Sequence, residues 1–94
     1  MVKAVWNGAV PADSDDTVVV EGNHYFPPES VNWEHLERSW MRSLCFWKGI
    51  ARYYSARSGD ERAANVAWSY PHPFPWIRRI KDHLAFRGGV EVRP

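Results

Sequence analysis

The 94-residue sequence has a single cysteine, Cys45, and no long apolar run. One thiol cannot form an internal disulfide, and a chain without a disulfide framework fits a reducing compartment. No apolar stretch approaches the roughly 20 residues that a membrane helix needs. The opening residues, Met1 to Ala4, also lack the apolar core of a signal peptide. These absences predict a cytoplasmic protein with no membrane partner.

Groups of metal-ligating residues are also lacking. The four histidines, His24, His35, His72 and His83, are scattered singly, and no second thiol accompanies Cys45. A tetrahedral site would need three or four such ligands brought together by the fold. No glycine-rich phosphate loop precedes a helix pattern either. The sequence therefore predicts no metal site and no cofactor.

Aromatic residues, in contrast, are abundant: they make up 15% of the chain and include six tryptophans. A chain of this length forms one domain, residues 1–94, with a single core. Each large ring adds much buried area to such a core, which favours a packing role for the tryptophans.

Charge is divided unevenly along the chain. Residues 1–37 have one basic and seven acidic side chains, a balance of −6, whereas residues 38–94 have eleven basic and four acidic side chains, a balance of +7. Two such halves attract each other within one chain or across a dimer. The alternative is a basic face for nucleic acid. We favour the self-complementary interpretation, which predicts a homodimer and disfavours nucleic acid as the partner.

Residue patterns in the first third predict strands. Val2–Trp6 alternates, Asn7-Gly8 is the dipeptide that accepts positive φ at both turn positions, and Ala9-Val10 resumes the apolar character, which is a strong hairpin signal. A polar turn is expected at 13–16. Thr17–Glu21 is β-branched enough for a third strand, stopped by Gly22-Asn23. The prolines at 27 and 28 argue against regular structure there.

The rest of the chain mixes strands with one or two short helix patterns. Trp33, Leu36 and Trp40 have helical spacing, which predicts a helix at 33–40. Strands are predicted at 49–56 and 64–70, a short helix after Pro73 with Trp76, Ile77 and Ile80 on its apolar side, and a last hairpin over 83–92. The predicted fold is mainly β: a small antiparallel barrel-like or curled sheet with one short helix.

Several segments resemble the domain of unknown function 427 family. They are WNG at 6–8, SDDTVVVEGNHYFPPESV at 14–31, CFWKGIARYY at 45–54, VAWSYPHP at 66–73 and HLAFRGGVEV at 83–92. The resemblance implies a small, predominantly β domain whose tryptophans organise the core. It also implies homodimers that pair by exchanging strands, and it supplies no established activity.

Some members of that family have a nucleotidyltransferase label. This chemistry needs carboxylates spaced along a strand to hold divalent metal, together with a loop that grips triphosphate. Asp13, Asp15 and Asp16 fall in a predicted turn, and the phosphate loop is missing. Nucleotide binding or transfer is therefore only an alternative.

Three polar residues stand out in otherwise apolar or stiff segments. Glu29 follows two prolines, so it either caps the backbone donors of Ser30 and Val31 or aims its carboxylate into a cavity. Cys45 is either a buried, inert sulfur or a thiolate stabilised by Lys48. Lys48 either extends from the core edge or binds an anion.

We expect the fold to bring these residues and nearby aromatics around one concavity, which is the usual form of a ligand site. In particular, Glu29, Lys48 and Tyr53 should face the same cleft. The predicted ligand-binding set is Tyr25, Glu29, Cys45, Trp47, Lys48, Tyr53 and Trp68. The predicted function is binding of a small molecule, with catalysis left open. The alternatives are a structural or interaction homodimer without a ligand site, and nucleic-acid binding.

Overall fold

The computed structural model describes all 94 residues and consists mainly of nine β-strands. Three short 3₁₀ helices, Pro28–Ser30, Trp33–His35 and Pro75–Ile80, interrupt them. The strands are β1 (Val2–Trp6), β2 (Ala9–Ser14), β3 (Val18–Val20), β4 (Asn23–Tyr25), β5 (Leu36–Cys45), β6 (Gly49–Ser58), β7 (Glu61–Ser69), β8 (Leu84–Phe86) and β9 (Glu91–Arg93).

The strands form three antiparallel sheets, with the orders β2-β1-β9, β3-β4 and β5-β6-β7-β8. The mainly β, antiparallel prediction is thus confirmed. The barrel-like variant is wrong, because β5 is a free edge and the sheets do not close into a barrel. Sheet closure would require β5 to hydrogen-bond to another strand, and its only partner is β6.

The first hairpin is confirmed, and its turn shows why the dipeptide was informative. Asn7 and Gly8 both adopt positive φ, at 50° and 79°, as the tightest hairpin turns require. The next segments differ in detail from the prediction. Asp13 and Ser14 continue β2, and the chain turns at Glu21-Gly22, so Asn23 already begins β4. The second of the two prolines starts a single 3₁₀ turn.

The helix predicted over 33–40 is wrong. Only Trp33–His35 is helical, and β5 begins at Leu36, where it pairs with Ala56 of β6. Trp40 is 96% exposed, so the helical spacing of the aromatic residues did not reflect burial. Long-range pairing with β6 decided the conformation, because a strand's partner can override a weak local pattern.

The predicted last hairpin is also wrong, although both of its strands exist. β8 pairs with β7, and β9 pairs with β1 in a different sheet. All three residues of β8 are buried, whereas Glu91 and Arg93 of β9 are exposed. The two strands therefore lie in different environments, and Gly88-Gly89 connects two sheets instead of closing one hairpin.

Buried residues form two clusters, which we call the first and second cores. The first core lies around Phe26, Leu84 and Phe86, and the second lies around Tyr25, Ile77 and Ile80. The sheet β5-β6-β7-β8 contributes to both, since Ala51 and Tyr53 of β6 belong to the second core and Ala56 belongs to the first. β8 contributes in the same alternating way.

Tryptophans take less part in these cores than expected. None is buried, and four are exposed: Trp33, Trp40, Trp47 and Trp76. Only Trp6 and Trp68 pack against a core, each half-buried. The general expectation of a packing role is therefore wrong for most of them.

The helix expected after Pro73 is confirmed as the 3₁₀ helix Pro75–Ile80. Ile77 and Ile80 are buried as predicted, but Trp76 is 65% exposed. Its indole N–H donates to the Trp47 carbonyl over 2.7 Å, which ties this helix to the β5–β6 turn. None of the helical segments is long and apolar enough to cross a membrane.

Candidate functional site

Most of the predicted site residues lie together in the second core. Tyr25 and Trp68 make an edge-to-face contact, with ring centroids 6.2 Å apart at 89°, and the Trp68 indole donates to the Tyr25 hydroxyl over 3.2 Å. Tyr53 lies 6.5 Å from Trp68, and Tyr70 lies 6.5 Å from Tyr25. We call these four rings the aromatic cluster. The cluster is packed and does not line a cavity.

Lys48 lies at the edge of the aromatic cluster and is only 6% exposed. Its ammonium is 5.0 Å from the centre of the Trp47 ring and 5.7 Å from that of Tyr70, and it donates a hydrogen bond to the Glu21 carboxylate. A buried ammonium needs such partners, because an unpaired charge is costly to remove from water. The ion pair therefore explains the lysine in an apolar segment.

Protonation in this region follows from burial and the ion pair. The Lys48 hydrogen bond holds the pKa of Glu21 below its usual value. Burial alone would lower the pKa of Lys48, but its pKa is raised, because the Glu21 carboxylate accepts its hydrogen bond and attracts its charge. Burial also raises the pKa values of Tyr25 and Tyr70. Lys48 is therefore charged and both phenols are neutral near pH 7.

Glu29 does not join this group. It is exposed on the Pro28–Ser30 turn and makes no hydrogen bond or ion pair. The backbone donors of Ser30 and Val31 bind the carbonyls of Pro27 and Pro28, so Glu29 does not cap them. The carboxylate beside Lys48 belongs instead to Glu21, which the sequence analysis did not select.

Cys45 ends β5 and is half-buried against the second core. The nearby Lys48 ammonium is engaged by Glu21, and no histidine hydrogen-bonds to the thiol. The packing fits the inert interpretation, which stays a prediction.

The largest cavity, about 570 Å³, lies on the other side of the β5–β6 hairpin. We call it the central cavity. It is lined by Arg42, Leu44, Gly49, Ile50, Arg52, Pro71, His72 and Phe74. None of the seven predicted site residues is among them.

Strand alternation explains why the hairpin has two different faces. Side chains along a strand point alternately to opposite sides. The inner face consists of Ser43, Cys45, Ala51 and Tyr53, which face the second core. The outer face consists of Arg42, Leu44, Ile50 and Arg52, which line the central cavity. Arg42 lies opposite Arg52, and Leu44 lies opposite Ile50.

A glycine positions the opposite wall of the central cavity. Gly49 has a φ of +123°, and a Cβ there would lie 3.2 Å from the His72 carbonyl oxygen. The Phe74 amide donates to the Lys48 carbonyl over 3.0 Å. The 71–74 segment can approach the hairpin this closely only because residue 49 has no side chain.

The two arginines of the outer face have no carboxylate partner. Arg42 donates to the Ser39 and Met41 carbonyls at 3.1 and 2.9 Å, and Arg52 makes no hydrogen bond through its side chain. Like charges directly opposite each other on neighbouring strands are destabilising. An anion held between them would remove this repulsion and accept bidentate hydrogen bonds.

The mirrored sequence around the hairpin turn is the signal that could have found this face. Arg42-x-Leu44 precedes the turn and Ile50-x-Arg52 follows it, so equal spacing brings like residues opposite each other. The contribution of His72 and Phe74 had no such signal, because it depends on contact between distant segments.

The fold and the cavity define a small antiparallel β protein with a basic, apolar-walled cleft. Residues 1–93 match the family model NTP_transf_9, described as Domain of unknown function (DUF427), and the chain belongs to that family. The resemblance seen in the sequence is thereby confirmed. A comparison with curated proteins finds no match.

The residues do not fit the metal that a nucleotidyltransferase label implies. No three side chains among His, Cys, Asp and Glu group closely enough to hold a metal ion. Asp13 lies on β2, and Asp15 contacts the Met1 amino group at 3.2 Å. We therefore derive no metal-dependent step.

Proposed function

We propose that the protein binds a small organic anion with an apolar body in the central cavity. One observation carries this proposal: two arginines without carboxylate partners, Arg42 and Arg52, lie opposite each other on neighbouring strands and line the largest cavity together with apolar side chains. Its volume of about 570 Å³ lies within the range of small-molecule sites, about 300–1,000 Å³. The anionic group would contact the arginines, while Leu44, Ile50 and Phe74 would cover the apolar body.

Calorimetric titration with phenyl phosphate tests the charge and the apolar body together. Phenyl phosphate should bind, inorganic phosphate should bind more weakly, and neutral benzyl alcohol should not bind measurably. Arg52→Gln should weaken phenyl phosphate binding at least about tenfold, since a charge-assisted hydrogen bond contributes about 1.5–3 kcal/mol. Arg79→Gln is the matched control, because Arg79 is exposed and lines none of the cavities.

Two outcomes would contradict this proposal. The first is equal affinity of the wild type and Arg52→Gln, and the second is no binding of any aromatic phosphate or carboxylate at millimolar concentration. If phenyl phosphate binds as expected, a thermal-shift screen of metabolites and nucleotides would search for the natural ligand, since ligands of the native state raise its stability.

A second candidate function is self-association, the interaction homodimer. The observation that favours it is an exposed apolar set on and beside the free edge strand β5: Trp40, Leu44, Phe46, Ile50 and Trp76 are each at least 58% exposed. Such patches and edges mark interaction surfaces. The acidic first third and basic remainder supply complementary charge. Exchange of strands between copies stays a prediction.

Light scattering at micromolar concentration tests this candidate. If the wild type is a dimer and Leu44→Ser and Phe46→Ser each convert it to a monomer, pairing through β5 is supported. A wild-type monomer would contradict it. A dimer that survives both changes would move the contact to another surface.

A further inference from the structure

Two smaller cavities share lining residues with the central cavity, and we call the three together the basic track. The cavity of about 390 Å³ around Trp40 of β5 shares Arg42 with the central cavity. The cavity of about 340 Å³ beside the Pro75–Ile80 helix shares Pro71 and His72 with it. The central cavity is thus the one that adjoins both of the others.

The charge of this track has one sign. Its permanent cations are Arg38, Arg42, Arg52, Arg78 and Lys81, and none forms an ion pair. No Asp or Glu lines any of the three cavities. The cations that are paired, such as Arg57 and Arg62 with Glu37, lie off the track. A repeated row of anions is the matching ligand for such a surface.

Flat aromatic rings accompany the charges. Trp40 lines the cavity at β5 and is 96% exposed. Phe74 lines the central cavity and stacks on the exposed Trp76, with centroids 5.2 Å apart at 26°. Neither Trp40 nor Trp76 belongs to a core, and both rings are largely exposed. A groove that combines cations with free aromatic faces is typical of proteins that bind single-stranded nucleic acid.

We propose that this track binds a single-stranded oligonucleotide. Phosphates contact the row of cations, and bases stack on Trp40 and on the Phe74–Trp76 pair. This inference rests on the proposed anion site, which supplies the central phosphate contact, and extends it to a polymeric ligand. The charges and rings of the track support the nucleic-acid alternative that the sequence patterns placed behind self-association. A polyanion without bases, such as a sulfated polysaccharide, would use the cations alone.

Fluorescence anisotropy of labelled oligothymidine, about twelve nucleotides long, tests the track. We expect binding at low salt. A plot of the logarithm of the binding constant against the logarithm of the salt concentration should fall with a slope of about 0.7 for each phosphate contact. The double variant Arg78→Gln/Lys81→Gln should reduce that slope by about 1.4. The matched control Lys3→Gln/Arg79→Gln removes the same charge off the track and should leave the slope nearly unchanged.

Trp40→Ala separates stacking from charge. It should weaken oligothymidine binding about tenfold, because stacking on an aromatic side chain contributes substantially for each base. Heparin binding should not change. Equal loss for both ligands, or no loss for either, would overturn the assignment of a base-stacking site. Heparin that binds the wild type as tightly as oligothymidine, together with an inert Trp40→Ala, would indicate a general polyanion surface.

The two proposals fail differently. Arg78→Gln/Lys81→Gln and Trp40→Ala lie outside the central cavity, so they should leave phenyl phosphate binding unchanged. Absence of oligothymidine binding alongside retained phenyl phosphate binding overturns the oligonucleotide track alone. If the wild type binds neither oligothymidine nor phenyl phosphate, the anion site is overturned as well.

Discussion

The two faces of the β5–β6 hairpin share one backbone but have opposite surroundings. The inner face packs Cys45, Ala51 and Tyr53 against the second core. The outer face leaves two arginines and two aliphatic side chains against an open cavity. The inner face thus stabilises the fold, whereas the outer face adds repulsion and exposed apolar surface. A surface that costs stability and is unused in packing is where we expect binding.

The largest expected difference between the faces is in the stability lost when an apolar side chain is shortened to alanine. Ile80→Ala should cost about 2–5 kcal/mol of unfolding free energy, because Ile80 is fully buried in the second core beneath the inner face. Ile50→Ala on the outer face is the matched control and should stay within about 0.5 kcal/mol. Urea denaturation with an unchanged slope measures both. Similar costs for the two variants would remove the distinction between the faces.

The ion pair at the edge of the inner face gives the next largest effect. Glu21→Gln should cost about 1–3 kcal/mol, because it leaves the buried Lys48 ammonium without its carboxylate. Adding Lys48→Met should recover most of that loss, since it removes the buried charge that Glu21→Gln leaves unpaired. Glu29→Gln is the control and should change stability little, because Glu29 is exposed and unpaired. A double variant less stable than Glu21→Gln would contradict this account.

The same pair predicts a pH dependence. The folded-state pKa of Glu21 lies below its usual value of 4.5, so its contribution is complete above about that pH and is lost as pH falls through the lowered pKa. The stability difference between wild type and Glu21→Gln should therefore shrink on acidification. The Arg62 hydrogen bond also lowers the pKa of Glu37, but Glu37 is present in both proteins, so its effect cancels in the difference. A stability difference that does not shrink through the acid range in which Glu21 becomes protonated would exclude the charged pair as the cause.

The smallest effect belongs to the outer face. Arg52→Gln should stabilise the free protein by about 0.2–0.5 kcal/mol, since it removes repulsion from Arg42 on the neighbouring strand. The gain should disappear near 1 M salt, where the screening length is about 3 Å. The same variant should lose anion binding, so stability and binding would change in opposite directions. A net destabilisation at low salt would argue that Arg52 has a structural role.

The fold was predictable where one local signal dominated. Asn7-Gly8 accepts left-handed turn geometry, and the predicted strand at 49–56 lies within β6. At residues 33–40 the aromatic spacing suggested a helix, but β5 is an edge strand whose tryptophan faces solvent. Periodicity reports burial, so it misleads where a large ring is not buried.

The site was harder to predict because it depends on contacts between distant segments. The sequence selected Lys48 and the tyrosines around it, and these residues do meet. Glu21 replaces Glu29 as the carboxylate, since a positive-φ turn at Glu21-Gly22 brings it to Lys48. The central cavity also needs His72 and Phe74 beside Gly49, and no local pattern indicates that approach. Cytoplasmic location stays a prediction from the lone cysteine.

The pairing of β1 with β9 has a consequence for synthesis of the chain. Lys3, Ala4 and Val5 lie beside Arg93, Val92 and Glu91. A ribosome adds about 5–20 residues per second, so the amino-terminal hairpin waits for seconds before its third strand emerges. During that interval one edge of β1 is open to other chains. We therefore expect chaperones to bind a nascent chain that is stalled before residue 91. Pairing of β9 with β1 should end this binding, because it covers the open edge.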